Sequence, residues 1–469
     1  MTVSAAEQYL LEMINRARLD PQAEAERYGL SLNAGLASGT ISGAPVQVLA
    51  HNTDLERASI DHSQWMLDTN IFSHDGVNGT DPGDRIEAAG YELRGSWTWR
   101  ENLAWTGTTG AVDLAEAVEE HHEGLYRSAG HRVNTFAGDI REIGIGQVEG
   151  QFTHQGSTFN ASMLTLSFAA SGPDFFVTGV AYTDTDGDEF YSIGEGQSGV
   201  QITADGSSTV TATAGGYQVA VDAQRDVGVT VSQGGTQLAT LTVDTTNGNA
   251  KLDLITAADG SQFLALSADA TLLTGLTDAT LLGVGDLNLT GSAADNALTG
   301  NAGRNDIDGG AGNDLITGGQ GADRLQGGTG DDVLRGGEGR DIRWDSLDID
   351  GSASTINADV LNGGAGDDRL HGQSGSDVLD GGAGDDRMTG GGGRDTFVFQ
   401  EGSDVILDFT DNVDTIQLDG DALGLSTVDE ALAMGQIIDG NAVLDFGANS
   451  LRINDVSDLD LLANDLIVF

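Results

Sequence analysis

The sequence lacks three features that are common in proteins: cysteine, a long apolar run, and enough basic residues to balance its acidic ones. None of its 469 residues is cysteine, so packing or bound metal must replace disulfides. No apolar run approaches the roughly 20 residues that cross a bilayer, so we predict no transmembrane segment. Lysine and arginine number 21 against 73 acidic residues, and the net charge of −52 repels nucleic acid and attracts multivalent cations.

Glycine, with 69 residues, is by contrast abundant, and from Gly291 it recurs at a fixed spacing. We divide the sequence from Gly291 onward into consecutive frames of nine residues. The first position of a frame is glycine in most frames, the sixth is Asn or Asp in every frame, and the eighth is usually apolar. One inward apolar residue per nine is too few for a globular core but suits a solenoid of stacked coils. We therefore predict a parallel β-roll over residues 291–398.

The glycine-rich half-turn carries metal chemistry. Gly-Gly-x-Gly-x-Asp turns backbone carbonyls toward a common point, and the aspartate carboxylate completes a shell of the hard oxygens that calcium prefers. Two nonapeptides form one coil, so Asp314 is expected to share an ion with Asp332 in the next coil. The predicted calcium ligands of the roll are Asp314, Asp323, Asp332, Asp341, Asp368, Asp377, Asp386 and Asp395.

Two frames depart from this pattern. Residues 345–353 and 354–362 keep the phase through Asp350 and Asp359, but they lack the turn glycines, so we expect a bulge or an interrupted calcium ladder there. Without calcium the stacked carboxylates repel one another and the entropy of glycine opposes order. Folding of the roll is therefore predicted to depend on calcium.

The array resembles the RTX (repeats-in-toxin) proteins of bacterial type I secretion, as in Gly309-Gly310-Ala-Gly312-Asn-Asp314 and Gly381-Gly382-Ala-Gly384-Asp-Asp386. The resemblance implies a secreted, extracellular protein of a Gram-negative bacterium that engages the type I secretion machinery. Met1 to Pro21 lacks the basic patch, apolar core and cleavage site of a signal peptide, so we expect no cleaved N-terminal signal.

The segment after the array is predicted to close the roll and direct export. Asp395–Phe399 and Ile406–Phe409 have the pattern of capping strands, which cover the open apolar end of a solenoid. An acidic residue followed by hydrophobic residues, Asp465–Phe469, resembles the uncleaved C-terminal signal of type I substrates, although an ordinary edge strand has the same pattern. We assign residues 399–469 to a cap with this signal.

The first 171 residues have the pattern of an α+β domain. Ser4-Ala-Ala-Glu7 and Thr53-Asp-Leu-Glu56 are capping boxes that open amphipathic helices, and a third helix is expected from about Val112 to Tyr126. Alternating stretches at Glu142–Val148 and Met163–Phe168 predict antiparallel strands. His62 falls on an apolar helix face and is expected to be a hydrogen-bonded core residue.

This domain resembles the bacterial branch of the CAP superfamily, named for cysteine-rich secretory, antigen and pathogenesis-related proteins, with an α-β-α sandwich fold. The resemblance spans about Ala6 to Ala170. Its motifs are Leu11-x-x-Ile14-Asn15-x-x-Arg18, His62-Ser-x-x-Met66, Phe72-Ser-His74, Arg85 with Ala89-Gly90-Tyr91, Glu101-Asn102-Leu103, Ser128-x-Gly130-His131-Arg132-x-Asn134 and Glu142-Ile-Gly144-Ile-Gly146.

The CAP resemblance implies a cleft of two histidines and two acidic residues that holds a divalent cation such as zinc. Motif matching places His74, Glu101 and His131 in this cleft. For the fourth place the bacterial form of the motif favours His122, whereas helical phase favours His121; we assign His122. Arg100 replaces the glycine that usually precedes Glu101, which is expected to alter access to the cleft or its charge.

Between the two regions, residues 172–255 alternate Val, Thr and Tyr with Gly and Asp, which predicts a small β-sandwich. An acidic loop near its start carries oxygen ligands at EF-hand-like spacing and resembles the calcium loop of transthyretin-like or B-type repeat domains. Residues 256–290 are expected to be connecting strands. The predicted calcium ligands of the loop are Asp184, Asp186, Asp188 and Glu195.

The sequence as a whole predicts a secreted, multidomain calcium-binding protein. Its CAP domain is expected to bind an apolar or envelope-derived ligand, as lipid-binding members of that superfamily imply, while the tail serves calcium-triggered folding and export. Two alternatives stay open: a metal-assisted extracellular hydrolase acting through His74, Glu101 and His131, and a calcium-dependent adhesion or matrix protein. No nucleophile signature is present, so a binding role is favoured over an enzymatic one.

Overall fold

A computed structural model describes residues 3–222, 225–330, 332–337 and 359–469 of the chain. The chain forms two compact units, residues 1–268 and 269–469. The first contains an α+β domain and a β-sandwich, and the second is built almost entirely of short strands. No helix in the described ranges is long and apolar enough to cross a membrane.

The helices of the α+β domain begin at polar capping residues. Ser4 and Glu7 form the expected capping box of the first helix, and Pro21 opens the second. The third helix is capped by Asn52 and not by Thr53, because the Asn52 side chain accepts hydrogen bonds from the next turn. The helices are α1 Ala5–Leu19, α2 Pro21–Arg27, α3 Thr53–Thr69, α4 Pro82–Ala88, α5 Leu114–Arg127 and α6 Ala129–Thr135.

One sheet, in the order β1-β3-β4-β2, forms the middle layer of this domain; its strands are β1 Ala50–His51, β2 Trp97–Thr108, β3 Glu142–His154 and β4 Ser157–Ser171. Leu164 and its neighbours on one face pack against α1 and α5, and Met163 and its neighbours on the other face pack against α3. A Cβ atom at Gly144 would lie 2.0 Å from the backbone of Leu55, so this glycine lets α3 approach the sheet. The layers form the predicted α-β-α sandwich.

The β-sandwich of the first unit has two sheets, β10-β9-β6-β7 and β12-β11-β5-β8. Buried Val229 and Leu241 alternate with less buried residues along the first sheet. β11 is instead buried along almost its whole length, and its Lys251 pairs with Glu12 of α1 at 2.9 Å. The strands are β5 Phe175–Thr183, β6 Val200–Ala204, β7 Ser207–Val210, β8 Gly216–Val221, β9 Asp226–Gln233, β10 Thr236–Asp244, β11 Ala250–Thr256 and β12 Gln262–Leu266.

The second unit is a two-sheet parallel β-roll in which every second strand belongs to the same sheet. In the frames that the structure describes, the eighth residue, from Leu298 to Phe397, is almost fully buried between the sheets. The strands are β13 Ala270–Gly275, β14 Asp278–Leu281, β15 Asn288–Thr290, β16 Ala297–Thr299, β17 Asp306–Ala311, β18 Leu315–Gly319, β19 Arg324–Thr329, β20 Val333–Gly337, β21 Val360–Ala365, β22 Arg369–Gly375, β23 Val378–Ala383, β24 Arg387–Gly393, β25 Thr396–Phe399, β26 Ser403–Ile406 and β27 Thr415–Leu418. Of the connecting strands expected at residues 256–290, β12 belongs to the β-sandwich, whereas the later ones belong to the roll, since β13 pairs with β15 and β14 with β16.

The bulge or interrupted calcium ladder expected in the two glycine-poor frames falls, for residues 345–358, outside the described residues. β19 pairs directly with β21, so that Leu325 lies beside Leu361, and β20 pairs in the same way with β22. Each of these steps advances 36 residues where other coils advance 18. The described strands on either side of residues 338–358 therefore pair directly with one another.

The C-terminal segment extends the roll before it ends. β25, which lies in the predicted capping strand Asp395–Phe399, and β26 pair in parallel with the preceding coils and continue the roll; of the second predicted capping strand, Ile406–Phe409, only Ile406 is part of a strand. The last strand pairs in parallel with β27 and lies at the edge of its sheet. The elements after β27 are α7 Gly420–Leu423, α8 Val428–Ala433, β28 Gly435–Ile438, β29 Asn441–Asp445, β30 Ser450–Ile453 and β31 Leu466–Val468.

Candidate functional sites

Three of the residues at the predicted cleft form one charged hydrogen-bonded group. Glu101, on β2, is almost fully buried; His74 Nδ1 donates to its Oε1 at 2.8 Å, and Arg85 of α4 donates to its Oε2 at 2.5 Å. Arg85 also donates to the carbonyl oxygen of His74 at 2.9 Å. The hydrogen bond to Glu101 raises the pKa of His74, whose side chain is 57% exposed. The group presents a fixed, readily protonated imidazole to solvent.

His131, on α6, is held near this group through its backbone. Asn102 of β2 donates to the His131 carbonyl oxygen at 3.1 Å, and Asn134 donates to the carbonyl oxygen of Glu101 at 3.2 Å. Burial and the neighbouring charge of His74 lower the pKa of His131. The two cleft histidines are thus biased toward opposite protonation states, one charged and one neutral.

The residues present do not form a zinc site in this arrangement. Both carboxylate oxygens of Glu101 already accept hydrogen bonds, one of them from the positively charged Arg85. Across the described ranges, His74, Glu101 and His131 are not a group whose ligand atoms lie within reach of one ion. Zinc therefore stays a prediction of the resemblance alone.

The fourth predicted cleft residue, His122, has other partners. Its Nε2 lies 2.9 Å from Glu24 of α2, and its ring contacts Tyr28 and Tyr126. His121, which helical phase favoured, lies 3.0 Å from the hydroxyl of Ser162. Both histidines are buried because α5 packs between the sheet and α2. Helical phase, which predicts which of two adjacent residues is buried, therefore could not decide between them. The assignment of His122 to the cleft is thus replaced by a buried pair with Glu24.

His62 and Arg100 also differ in their surroundings from the cleft residues. His62 is a buried core residue, as expected: its Nε2 lies 2.9 Å from the Ser73 carbonyl oxygen and its ring stacks on Trp65. Arg100 was expected to change the cleft. Alternation along β2 instead directs it to the face opposite Glu101, where it pairs with Asp139 at 3.0 Å.

The acidic loop between β5 and β6 brings three of its four predicted ligands together. Asp184, Asp186 and Asp188 are the group in the described chain whose carboxylates lie close enough to share an ion. Burial, followed by the charges of the other two aspartates, raises the pKa of Asp188. Glu195 is placed differently: its oxygens accept from the N–H groups of Thr185 and Ser192, so it fixes the loop.

The aspartates of the roll stack in two columns. In each, the backbone N–H of one residue donates to Oδ1 of the aspartate in the next coil, as Asp314 does to Asp332 at 2.7 Å. The first column is Asn296, Asp314, Asp332, Asp368, Asp386 and Asp404. The second is Asn305, Asp323, Asp359, Asp377, Asp395 and Asp414.

The second carboxylate oxygens in these columns lie among backbone oxygens. At Gly309, a Cβ atom would lie 2.3 Å from Asp314 Oδ2 and 2.7 Å from the carbonyl oxygen of Gly327. Oδ2 of Asp314 and of Asp386 is buried and accepts no hydrogen bond from the described residues. Burial raises the pKa of both groups to about 6. Converging hard oxygens without a donor fit calcium.

Three aspartates of the columns are not among the predicted calcium ligands, and one predicted ligand cannot be placed. Asp359 takes the place expected for Asp341, which lies outside the described residues. Asp404 follows Asp395 by nine residues, so the period itself could have identified it. Asp414 follows Asp404 by ten residues and had no such signal.

Family models match the N-terminal α+β domain and the repeat region of the chain. A model of the cysteine-rich secretory protein family (CAP) matches residues 11–158, and the RTX calcium-binding nonapeptide repeat matches four times, at residues 288–316, 317–342, 355–388 and 371–406. No curated protein matches the chain.

Solved structures show weaker likenesses. An extracellular protein containing a SCP domain from Bacillus anthracis str. Ames is 23% identical, with a TM-score of 0.20; the match covers 26% of this chain and 34% of that one. An outer surface protein from Borrelia burgdorferi is 19% identical over 27% of this chain and 80% of its own, with a TM-score of 0.20. The extracellular lipase LipA from Serratia marcescens is 17% identical over 42% of each chain, with a TM-score of 0.20.

The family matches agree with the folds and motifs of the two units. RTX repeats bind calcium, and the stacked aspartates provide the oxygens that they use. The chain therefore joins a CAP domain to RTX calcium-binding repeats and is a calcium-binding extracellular protein.

Proposed function

We propose that the CAP domain binds an extracellular apolar or envelope-derived ligand at the His74 cleft, and that the RTX tail serves calcium-triggered folding and export. The observation that carries the binding role is the exposed imidazole of His74, fixed on buried Glu101 beside exposed apolar side chains of the same loop, Ile71, Phe72 and Val77. A polar anchor within an apolar rim suits an amphipathic ligand.

Binding is better supported than hydrolysis. His74 Nδ1 is committed to Glu101, which in turn is held by Arg85. A pair of a serine hydroxyl and a histidine ring does occur in the described chain, at Ser162 and His121, but both side chains are almost fully buried and out of reach of a substrate. Nucleophilic catalysis needs such a pair beside an open site.

The cleft is tested by lipid binding to the full chain in calcium. The probe is a vesicle of phosphatidylethanolamine and phosphatidylglycerol, and affinity is measured by flotation or surface plasmon resonance. His74→Ala removes the anchor and should weaken binding about tenfold, the value of one charge-assisted hydrogen bond. His154→Ala, an exposed histidine outside the cleft, is the matched control. Equal affinity of the two variants would contradict ligand binding at this cleft.

The export role rests on the exposed hydrophobic residues of the C-terminal strand. Phe469 is 61% exposed and Ile467 is also exposed, so their replacement should leave the fold intact. If they belong to a secretion signal, Ile467→Ser with Phe469→Ala should lower the secreted fraction in a strain carrying a type I exporter. Met434→Ala, an equally exposed apolar residue, should not. Unchanged secretion of the double variant would favour an ordinary edge strand.

A further inference from the structure

The first coil of the roll, β13 with β14, has an apolar interior. β14 buries both Ala279 and Leu281, and the pairing of β14 with β16 places Leu281 beside Gly300 of the next coil. In the later coils, from β17 onward, the corresponding glycines lie against ladder carboxylates: a Cβ atom at Gly309 would meet Asp314 Oδ2 at 2.3 Å. The first coil therefore has an apolar side chain where the later coils have a glycine and a carboxylate.

The second coil, β15 with β16, carries asparagine where the later coils carry aspartate. Asn296 and Asn305 are buried, and each begins one of the two ladder columns. Asn296 Nδ2 donates to the carbonyl oxygen of Thr277 at 2.9 Å, and Asn305 Nδ2 donates to that of Leu287 at 3.1 Å. A carboxylate has no donor for such a contact. These amides thus satisfy backbone oxygens of the preceding coil from within the chain, where carboxylates would need a cation.

A third buried amide acts in the same way. Asn301 Nδ2 donates to the carbonyl oxygens of Leu282 at 3.1 Å and of Gly285 at 3.0 Å. The Asn301 N–H donates in turn to Oδ1 of Asn305 at 2.8 Å. Within residues 269–305, all of which the structure describes, no buried side chain is acidic. The first two coils therefore contain no buried negative charge that an ion would have to neutralise.

We infer that these two coils, β13 to β16, fold without calcium and form a template on which the later coils assemble when calcium binds. The template rests on the proposed calcium-triggered folding of the tail and gives that folding a starting point. The backbone N–H groups of Asn296 and Asn305 donate at 2.8 Å to the first two ladder carboxylates, Asp314 and Asp323.

This template gives the calcium response a direction along the chain. In a solenoid each coil contacts only its neighbours, so a coil that is already ordered lowers the entropy cost of adding the next one. The later coils bury one apolar side chain in nine residues and keep their carboxylates, so they stay dependent on the ion. Calcium should therefore order the roll from Asp314 and Asp323 onward.

The test is hydrogen–deuterium exchange of the full chain, measured by mass spectrometry in calcium and in excess chelator. In chelator, the amides of β13 to β16 should exchange at least about tenfold more slowly than in the unfolded chain, whereas those of β21 to β25 should exchange at the unfolded rate. Calcium should protect both regions. Full exchange of both regions in chelator would overturn the template alone. Protection of both regions in chelator would overturn the template together with the calcium-triggered folding on which it rests.

A pair of variants tests the amides themselves. Asn305→Asp introduces a carboxylate that cannot donate to Leu287 and that lies next to Asp323. In chelator it should speed the exchange of β15 and β16 about tenfold or more, and calcium should restore the protection of the parent chain. Asn313→Asp adds the same charge at an exposed position of the next coil and should change neither result.

The comparison of the two variants decides the role of the amide. If Asn305→Asp were as protected in chelator as the parent chain, or if calcium did not restore its protection, this amide would not take the place of an ion and the template would be overturned. The near-ultraviolet signal of the CAP tryptophans, measured on the same samples, shows that each variant chain is otherwise folded.

Discussion

The CAP domain and the roll solve the problem of buried charge in different ways. In the CAP domain, buried ions such as Arg132 and Glu24 have partners from the chain: Arg132 donates to the carbonyl oxygens of Leu32 and Tyr126, and Glu24 accepts from Arg16 and His122. In the roll, carboxylates such as Asp314 are buried without a cation from the chain. The CAP domain therefore carries its own counter-charges, whereas the roll needs them from the medium.

Removal of calcium should produce the largest difference between the two regions. A roll with one apolar residue per nine cannot offset the repulsion of its stacked carboxylates, so its strands should be lost, while the CAP domain should stay folded. Circular dichroism of the full chain, titrated with a chelator and then with calcium, should show reversible loss of β-structure. The near-ultraviolet signal of the CAP tryptophans should persist.

Magnesium is the control for this experiment, because it prefers rigid octahedral sites and keeps its water. It should not restore the β-structure at the concentrations at which calcium does. If the full chain kept its β-structure in excess chelator, the roll would have to be stable without ions, and the contrast with the CAP domain would fail.

Substitution of a glycine in the roll should have the next largest effect, on the calcium concentration at which the roll folds. A Cβ at Gly309 would meet Asp314 Oδ2 at 2.3 Å, whereas one at Gly392 would meet nothing closer than 4.0 Å. Gly309→Ala should therefore displace a calcium oxygen and raise the calcium concentration at the folding midpoint about tenfold or more, a loss of at least about 1.4 kcal/mol. Gly392→Ala should shift it little. Equal midpoints would show that the carboxylate moves aside without cost.

Acid pH should lower the stability of the CAP domain through its buried carboxylate Glu24. Burial opposes ionisation of Glu24, but hydrogen bonds from His122 and Arg16 dominate and lower its pKa to about 2. A carboxylate with a depressed folded pKa stabilises above its unfolded pKa of about 4.5, and this stability is lost as pH falls through about 2. The loss should be on the order of 3 kcal/mol.

Glu24→Gln tests this assignment. The variant should be less stable than the parent at pH 7 and should lose less stability between pH 5 and pH 2, as measured by denaturant unfolding of the CAP signal. Glu26→Gln, an exposed neighbour on the same helix, is the matched control. Parallel pH profiles of parent and Glu24→Gln would contradict the pair with His122.

The same contrast explains what the sequence could predict. The nine-residue period identified the buried eighth positions and the stacked aspartates, because each coil repeats one local pattern. It could not show that Asp359 follows Asp323 in the next coil, because the frames between them keep the phase in the sequence and give no sign that 36 residues separate these two neighbours. In the CAP domain, motif order placed His74 by Glu101, but the partner of His122 depends on how α2 packs on α5, which no local pattern encodes.

The smallest predicted effect is a gain in stability, whereas substitution of the roll glycine Gly309 should cause a loss. Gly124 lies in the exposed part of α5, and a Cβ there would meet no atom within 4 Å. Alanine in a helix is more favourable than glycine by up to about 1 kcal/mol, so Gly124→Ala should stabilise the CAP domain by roughly 0.5–1 kcal/mol. The gain should be the same with and without calcium, because α5 belongs to the region that supplies its own counter-charges. A loss of stability, or a gain seen only in calcium, would mean that the CAP domain is not independent of the ion that folds the roll.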